Sequence, residues 1–192
     1  MIPEILMLTI ISIILLLFRK KTLDISILKL EIKGYQILII AAVIEVMAEF
    51  LYNNFINNNA VEILSLNWLI YFAIFAVTII NFKKPFMKLF FLGTLLNFIA
   101  IISNDFKMPV LVSEVLANAE AKKIYLQTGQ DLIHSLLTDS TKFKLLCDVI
   151  TLPPPYPFPK TISIGDIFLL SGIFFVWYEP ENKSNADKAI ES

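Results

Sequence analysis

Residues 63–82 read ILSLNWLIYFAIFAVTIINF, twenty positions without an Asp, Glu, Lys or Arg. About 20 apolar residues, rising 1.5 Å each, carry a helix across the hydrocarbon core of a bilayer. Four further stretches are long and apolar apart from isolated charges (Glu4; Glu45 and Glu49; Lys88; Asp166): Ile2–Phe18, Gly34–Tyr52, Phe86–Asn104 and Thr161–Tyr178. Of the 192 residues, 57% are hydrophobic and 17% charged, with a mean hydropathy of +0.72. Soluble globular chains run at roughly 45–50% and about 25%. The composition excludes a soluble enzyme, a disordered regulator and a fibrous repeat. It predicts an all-α integral membrane protein with about five transmembrane helices.

The charges set an expected orientation. Arg19, Lys20, Lys21, Lys29, Lys33, Lys83, Lys84 and Lys88 lie between the first and second spans and between the third and fourth, whereas Asn53–Glu62 carries no basic residue. The positive-inside rule assigns the basic loops to the cytoplasm. The N-terminus and the long connection after the fourth span are then external, and the C-terminus is cytoplasmic. The first stretch has its positive charge after the apolar run, unlike a signal peptide, and reads as a retained helix. Thr22–Lys33 alternates polar and apolar residues, as a short strand or interfacial segment does.

Four regions follow: transmembrane helices 1–4 in 1–104, an extracytoplasmic segment in 105–160, a fifth transmembrane helix in 161–180, and a disordered cytoplasmic tail in 181–192. The external segment reads as an amphipathic helical cap. Ser113 can cap a helix running to about Thr128, with Gly129 as its stop. Asp131–Leu137 reads as a second helical piece and Phe143–Ile150 as a third apolar stretch. Five prolines within Pro153–Pro159 predict an extended polyproline strut.

Net charge is −1 and the only Arg is Arg19, so no field for nucleic acid is expected. A single Cys, Cys147, and a single His, His134, exclude a disulfide within the chain and multi-thiolate or His-pair metal motifs. No metal and no cofactor are expected. The expected surroundings are the lipid bilayer, with a homo-oligomer or a partner subunit in it.

Ionisable groups within spans are site candidates by default. Glu45 and Glu49 share one face of the second span, and two carboxylates so close predict a proton or cation site. Gly93, Asn97, Ala100 and Asn104 form a small-and-polar stripe on the fourth, suited to helix contact. Asp166 lies near the start of the fifth. Its plainer reading is an N-terminal helix acid stabilised by the macrodipole, with Ser163 as the cap. Glu45, Glu49, Asn97, Asn104 and Asp166 all fall in the outer half under this topology, which predicts an outward-facing polar cavity beneath the cap. Ser163-Ile164-Gly165-Asp166 is similar to the Gly-x-Gly-Asp of intramembrane aspartyl proteases, but Ser163 replaces the first glycine and Asp148, the partner aspartate it would need, lies outside the spans. His134, with Asp131 three residues earlier, is a candidate base on the cap.

Asn104-Asp105-Phe106-Lys107-Met108-Pro109-Val110, His134, Cys147-Asp148-Val149-Ile150 and Ser163-Ile164-Gly165-Asp166-Ile167 resemble, in order and spacing, a family of multi-pass bacterial membrane proteins catalogued as a domain of unknown function. In that pattern glycines and an arginine precede Met-Pro-Val, and a glycine precedes the aspartate. Here Asp105, Phe106, Lys107 and Cys147 stand there. The resemblance implies a bacterial cell-membrane protein and no particular activity. The functional reading is binding or transport of a small solute, cation or lipid headgroup. The alternatives are a structural or accessory subunit and, less favoured, a membrane-embedded enzyme using Asp148, Asp166 and His134.

Overall fold

The computed structural model describes residues 7–15, 31–55, 67–129, 131 and 133–176, with the side chains at 45, 48–55 and 67–69 outside that description. Each of the five apolar stretches carries a helix: α1 (7–15), α2 (Tyr35–Phe55), α3 (Asn67–Ile80), α4 (Pro85–Ser103) and α6 (Ile164–Val176). A sixth, α5 (Ala119–Gln127), belongs to the connection between α4 and α6. The segment 22–30, the loop 56–66 and the tail 181–192 lie outside the described residues. Among those described, α4 with 19 residues is long and apolar enough to cross a membrane, and the apolar parts Tyr35–Ile44, Ile70–Ile80 and Ile164–Val176 are shorter. Helix length alone therefore supports one crossing rather than five.

Helix α2 packs on α3, α3 on α4, and α4 most closely on α6. The turn Asn81–Lys84 and Pro85 at the start of α4 reverse the chain between α3 and α4, where proline's missing N–H is no loss. Phe98 then lies 5.5–5.8 Å from Tyr71, Phe72 and Phe75, and Phe91 faces Phe75 and Phe82. All but the tilted Tyr71–Phe98 pair meet edge-on, and such pairs add about 0.5–1.5 kcal/mol each beyond their buried area. The contacts between α4 and α6 descend one helix as they climb the other: Gly93 meets Gly165, and Phe90 meets Gly172. These helices are antiparallel, and their backbones nearly touch.

The connection is not the helical cap that the sequence predicts, and the fold is not all-α. Strand β1 (Met108–Val110) pairs in parallel with β2 (His134–Leu136), and β3 (Ile150–Leu152) pairs antiparallel with β4 (Lys160–Ile162). The expected helix from Ser113 begins only at Ala119, after Asn118 in the left-handed region, and ends as expected at Thr128. Asp131–Leu137 holds β2 in place of a helix, because His134–Leu136 takes its partners from β1, 26 residues earlier. The stretch 143–150 contains a 3-10 turn, Lys144–Leu146. The prolines form no strut. They make the turn of the β3–β4 hairpin, closed by the Tyr156 amide on the Pro153 carbonyl at 3.1 Å. Fixed proline φ suits turns as well as extended chain, and the paired flanks Ile-Thr-Leu and Lys-Thr-Ile decide between them. Thr161 and Ile162 are thereby strand residues, so the last helix starts at Ile164.

The cap sits on the end of α4 through Ala100, Ile101, Met108 and Cys147, with Tyr71, Leu137, Leu146 and Val149 against them. Asp105 and Phe106 make the turn out of α4 at φ 54° and 59°. The left-handed turn that glycine would serve at no cost is kept here by residues with side chains.

Candidate functional site

Ser163 begins the site. Its Oγ accepts the Asp166 amide at 2.9 Å, and the Asp166 carboxylate accepts the Ser163 amide at 3.3 Å. This is a reciprocal capping box that satisfies two of the orphan donors at the start of α6. The same groups reach across to α4. Asn97 Nδ2 donates to Asp166 Oδ1 at 3.0 Å, and Ser163 Oγ donates to Asn97 Oδ1 at 2.7 Å. Ser163 and Asn97 are buried, and the three side chains satisfy one another in a closed ring. The ring depends on the absent side chain at Gly165, where a Cβ would collide with the Asn97 amide and lie 2.6 Å from the Gly93 carbonyl oxygen.

Asp148 lies beside this ring. Asp148 stands two residues before the outermost hairpin pair, Ile150–Ile162, as Ile164 stands two residues after it, so the hairpin brings these two segments of the chain back together. A straight seven-residue strut at about 3.1 Å per residue would have held Asp148 and Asp166 apart. The Asp148 backbone is fixed by β1: its amide donates to the Pro109 carbonyl at 3.0 Å and its carbonyl accepts the Leu111 amide at 2.8 Å. Its side chain is 8% exposed, and Oδ1 has no hydrogen-bond partner. Burial raises its carboxyl, the Asp166 charge adds to this, and Lys122 and Lys160 oppose it, leaving the group at about 7. Burial first, and then the charge of Asp148, also raise the thiol of the fully buried Cys147.

The other candidates are distributed differently. Asn104 leaves the polar stripe: Nδ2 donates to the carbonyls of Ala100 at 2.7 Å and Lys142 at 3.0 Å, and Oδ1 accepts the Lys142 amide at 2.9 Å. It clasps the cap to α4. His134 lies in β2 rather than on a helix, with Nδ1 3.2 Å from Asp131 Oδ2. Partial burial raises the Asp131 carboxyl, but the His134 and Ile133 amides and the His134 charge outweigh it, so the net shift is downward. Glu45 and Glu49 are in α2, with side chains outside the described residues; the packing path to Asp166 runs through α3 and α4. Among the described residues no three His, Cys, Asp or Glu side chains gather to hold a metal ion.

Sequence reasoning missed Asn81. It is buried, its Oδ1 accepts the Lys33 amide at 3.0 Å, and its Nδ2 donates to the Lys33 and Val77 carbonyls at 2.8 Å. Asparagine at the end of an apolar helix was the available signal, since Asn104 does the same at the end of α4.

Residues 29–178 match the model of DUF5317, a family of unknown function. No curated protein and no solved structure matches the chain.

Proposed function

We propose that this chain, which belongs to the DUF5317 family, is a multi-pass bacterial cell-membrane protein that binds a small cation at the Asp148–Asp166 pair, at the junction of bundle and cap. The observation that carries the reading is Asp148 Oδ1, buried and without a hydrogen-bond partner beside a second carboxylate. A buried acceptor left unsatisfied costs about 1–3 kcal/mol, and a proton or a cation is what satisfies it. Near neutral pH the two compete for the same carboxyl, so uptake of one releases the other. Asp166 supplies negative charge while Asn97 and Ser163 hold it in place. Glu45 and Glu49 remain proposed as a second acidic pair in the bundle. The broader form of the reading, an outward-facing cavity carrying a solute or lipid headgroup in a homo-oligomer, extends this site rather than replacing it.

The accessory-subunit alternative expects Asn97, Asn104 and Asp166 at a contact with another protein. Their polar groups are bonded within the chain, which weighs against it. An aspartyl-protease dyad would need the two carboxyls to share a proton through a hydrogen bond, and Asp148 Oδ1 makes none.

The test is a proton-release titration of the full chain in nanodiscs, with sodium, potassium and magnesium as separate probes slightly below neutral pH. The expected result is proton release on saturation with one of them and none from Asp148→Asn. A wild-type chain that releases no proton with any of the three overturns the reading.

A further inference from the structure

The turn after the Asn104 clasp has an unusual surface. Phe143 is 59% exposed and Leu145 76% exposed, and Phe106, in the turn leaving α4, is 59% exposed. Free in water, such a cluster would be an apolar patch. Its position gives it a different meaning. Asn104 holds both backbone groups of Lys142. The 3-10 turn Lys144–Leu146 packs against α4 and α6, and the adjoining Cys147 is buried with Ala100 and Ile101. Ala100 stands three residues inside the end of α4 at Ser103, about 4.5 Å at 1.5 Å per residue. The turn thus wraps the flank of the helix below its end. The interfacial layer of a bilayer is about 5–8 Å thick on each side, and surface-bound segments bury their apolar faces roughly 5–10 Å into it.

We propose that the 142–146 turn, together with Phe106, is a membrane-interface anchor. Phe106, Phe143 and Leu145 enter the bilayer at headgroup depth, and Lys142 and Lys144 reach out to anionic lipid headgroups. The occupant is lipid because the patch continues the surface of α4, the helix of spanning length, and because lysines bracket Phe143. Lysines at this level bury their stems and keep their ammonium groups in water. Lys144 also lies 3.7 Å from the exposed Asp139 carboxylate. The consequence is a cap held at a fixed height over the Asp148 site by three connections: the chain, the Asn104 clasp and the lipid surface. The inference rests on the membrane reading of α4, and its test separates the two.

Single cysteines are introduced into the full chain as Phe143→Cys, Leu145→Cys, Asp139→Cys and Leu92→Cys, spin-labelled, and reconstituted in vesicles of phosphatidylglycerol and phosphatidylcholine. The native Cys147 is fully buried; it stays unlabelled while the fold is intact, and its reaction identifies an unfolded sample to be discarded. Labels at 143, 145 and 92 are expected to be reached severalfold better by oxygen than by a water-soluble nickel complex, with the reverse at 139. If Leu92→Cys reports lipid while 143 and 145 report water, the anchor is overturned and the membrane reading stands. If Leu92→Cys also reports water, both are overturned.

Discussion

Asp148 shows how much a single residue's meaning depends on what folds around it. In sequence it is one acid in a polar connection, five residues before the prolines end any simple pattern. In the structure the hairpin returns the chain, β1 fixes its backbone, and its carboxyl is buried beside Asp166. Its ordinary value is 3.8 and its value in the fold about 7. Between those values the folded chain holds a proton that the unfolded chain has released, so stability falls as pH rises through that window. The loss is complete above about 7 and is on the order of 4 kcal/mol at most, at 1.36 kcal/mol per unit. Asp148→Asn removes the ionisation. Denaturant unfolding across this pH range is therefore expected to show a wild type that weakens toward alkaline pH and a flatter variant. Parallel curves for the two would contradict the burial of this carboxyl. Asp166 was more legible, because Ser163-x-x-Asp166 is a capping box visible in one turn of sequence.

Elements set by local pattern were legible, and elements set by distant partners were not. The five apolar stretches became helices because sustained apolarity, and Pro85 at the start of α4, act within a segment. Strands β1 to β4 have three residues each, and nothing in three residues announces a partner far along the chain. The α4–α6 contact lies between these cases: the Gly93, Asn97, Ala100 stripe marked a close-packed face, while the facing Gly165 and Gly172 could not be paired to it from sequence. The contact predicts an order of effects. Gly165→Ala places a methyl against Asn97 and the Gly93 carbonyl, while Gly172→Ala meets only the Phe90 ring at 3.3 Å. Overpacking of this kind costs about 1–3 kcal/mol. The first variant should lie at the upper end or beyond, since backbone cannot yield as a ring can, and should also break the Asn97–Asp166 bond. Thermal unfolding in detergent checks the order, and a Gly165→Ala chain no weaker than Gly172→Ala would refute the backbone crossing.

At the scale of the molecule, the two asparagine clasps organise charge as well as structure. Asn81, just past the end of α3, holds Lys33 beside the turn that contains Lys83 and Lys84. Lys33 is thereby gathered with Lys83 and Lys84 at one end of the helices. Asn104, at the end of the antiparallel α4, holds the cap at the other. Six lysines in 105–160 are offset there by Asp105, Glu114, Glu120, Asp131, Asp139 and Asp148, leaving no net charge. If the proposed membrane reading holds, the positive-inside rule predicts that the Lys33–Lys83–Lys84 end faces the cytoplasm. Orientation then decides what the carboxyl pair can sample, because a cap on the outer face opens Asp148 to external ions and external pH. The buried Cys147 cannot report this, so the probes are Lys83→Cys and Ser140→Cys, both exposed positions. A membrane-impermeant maleimide applied to intact bacterial cells should label Ser140→Cys, and should reach Lys83→Cys only after permeabilisation. The opposite pattern would invert the molecule and direct the carboxyl pair at the cytoplasm. Labelling of both in intact cells would mean that the two poles are not on opposite sides of a membrane at all.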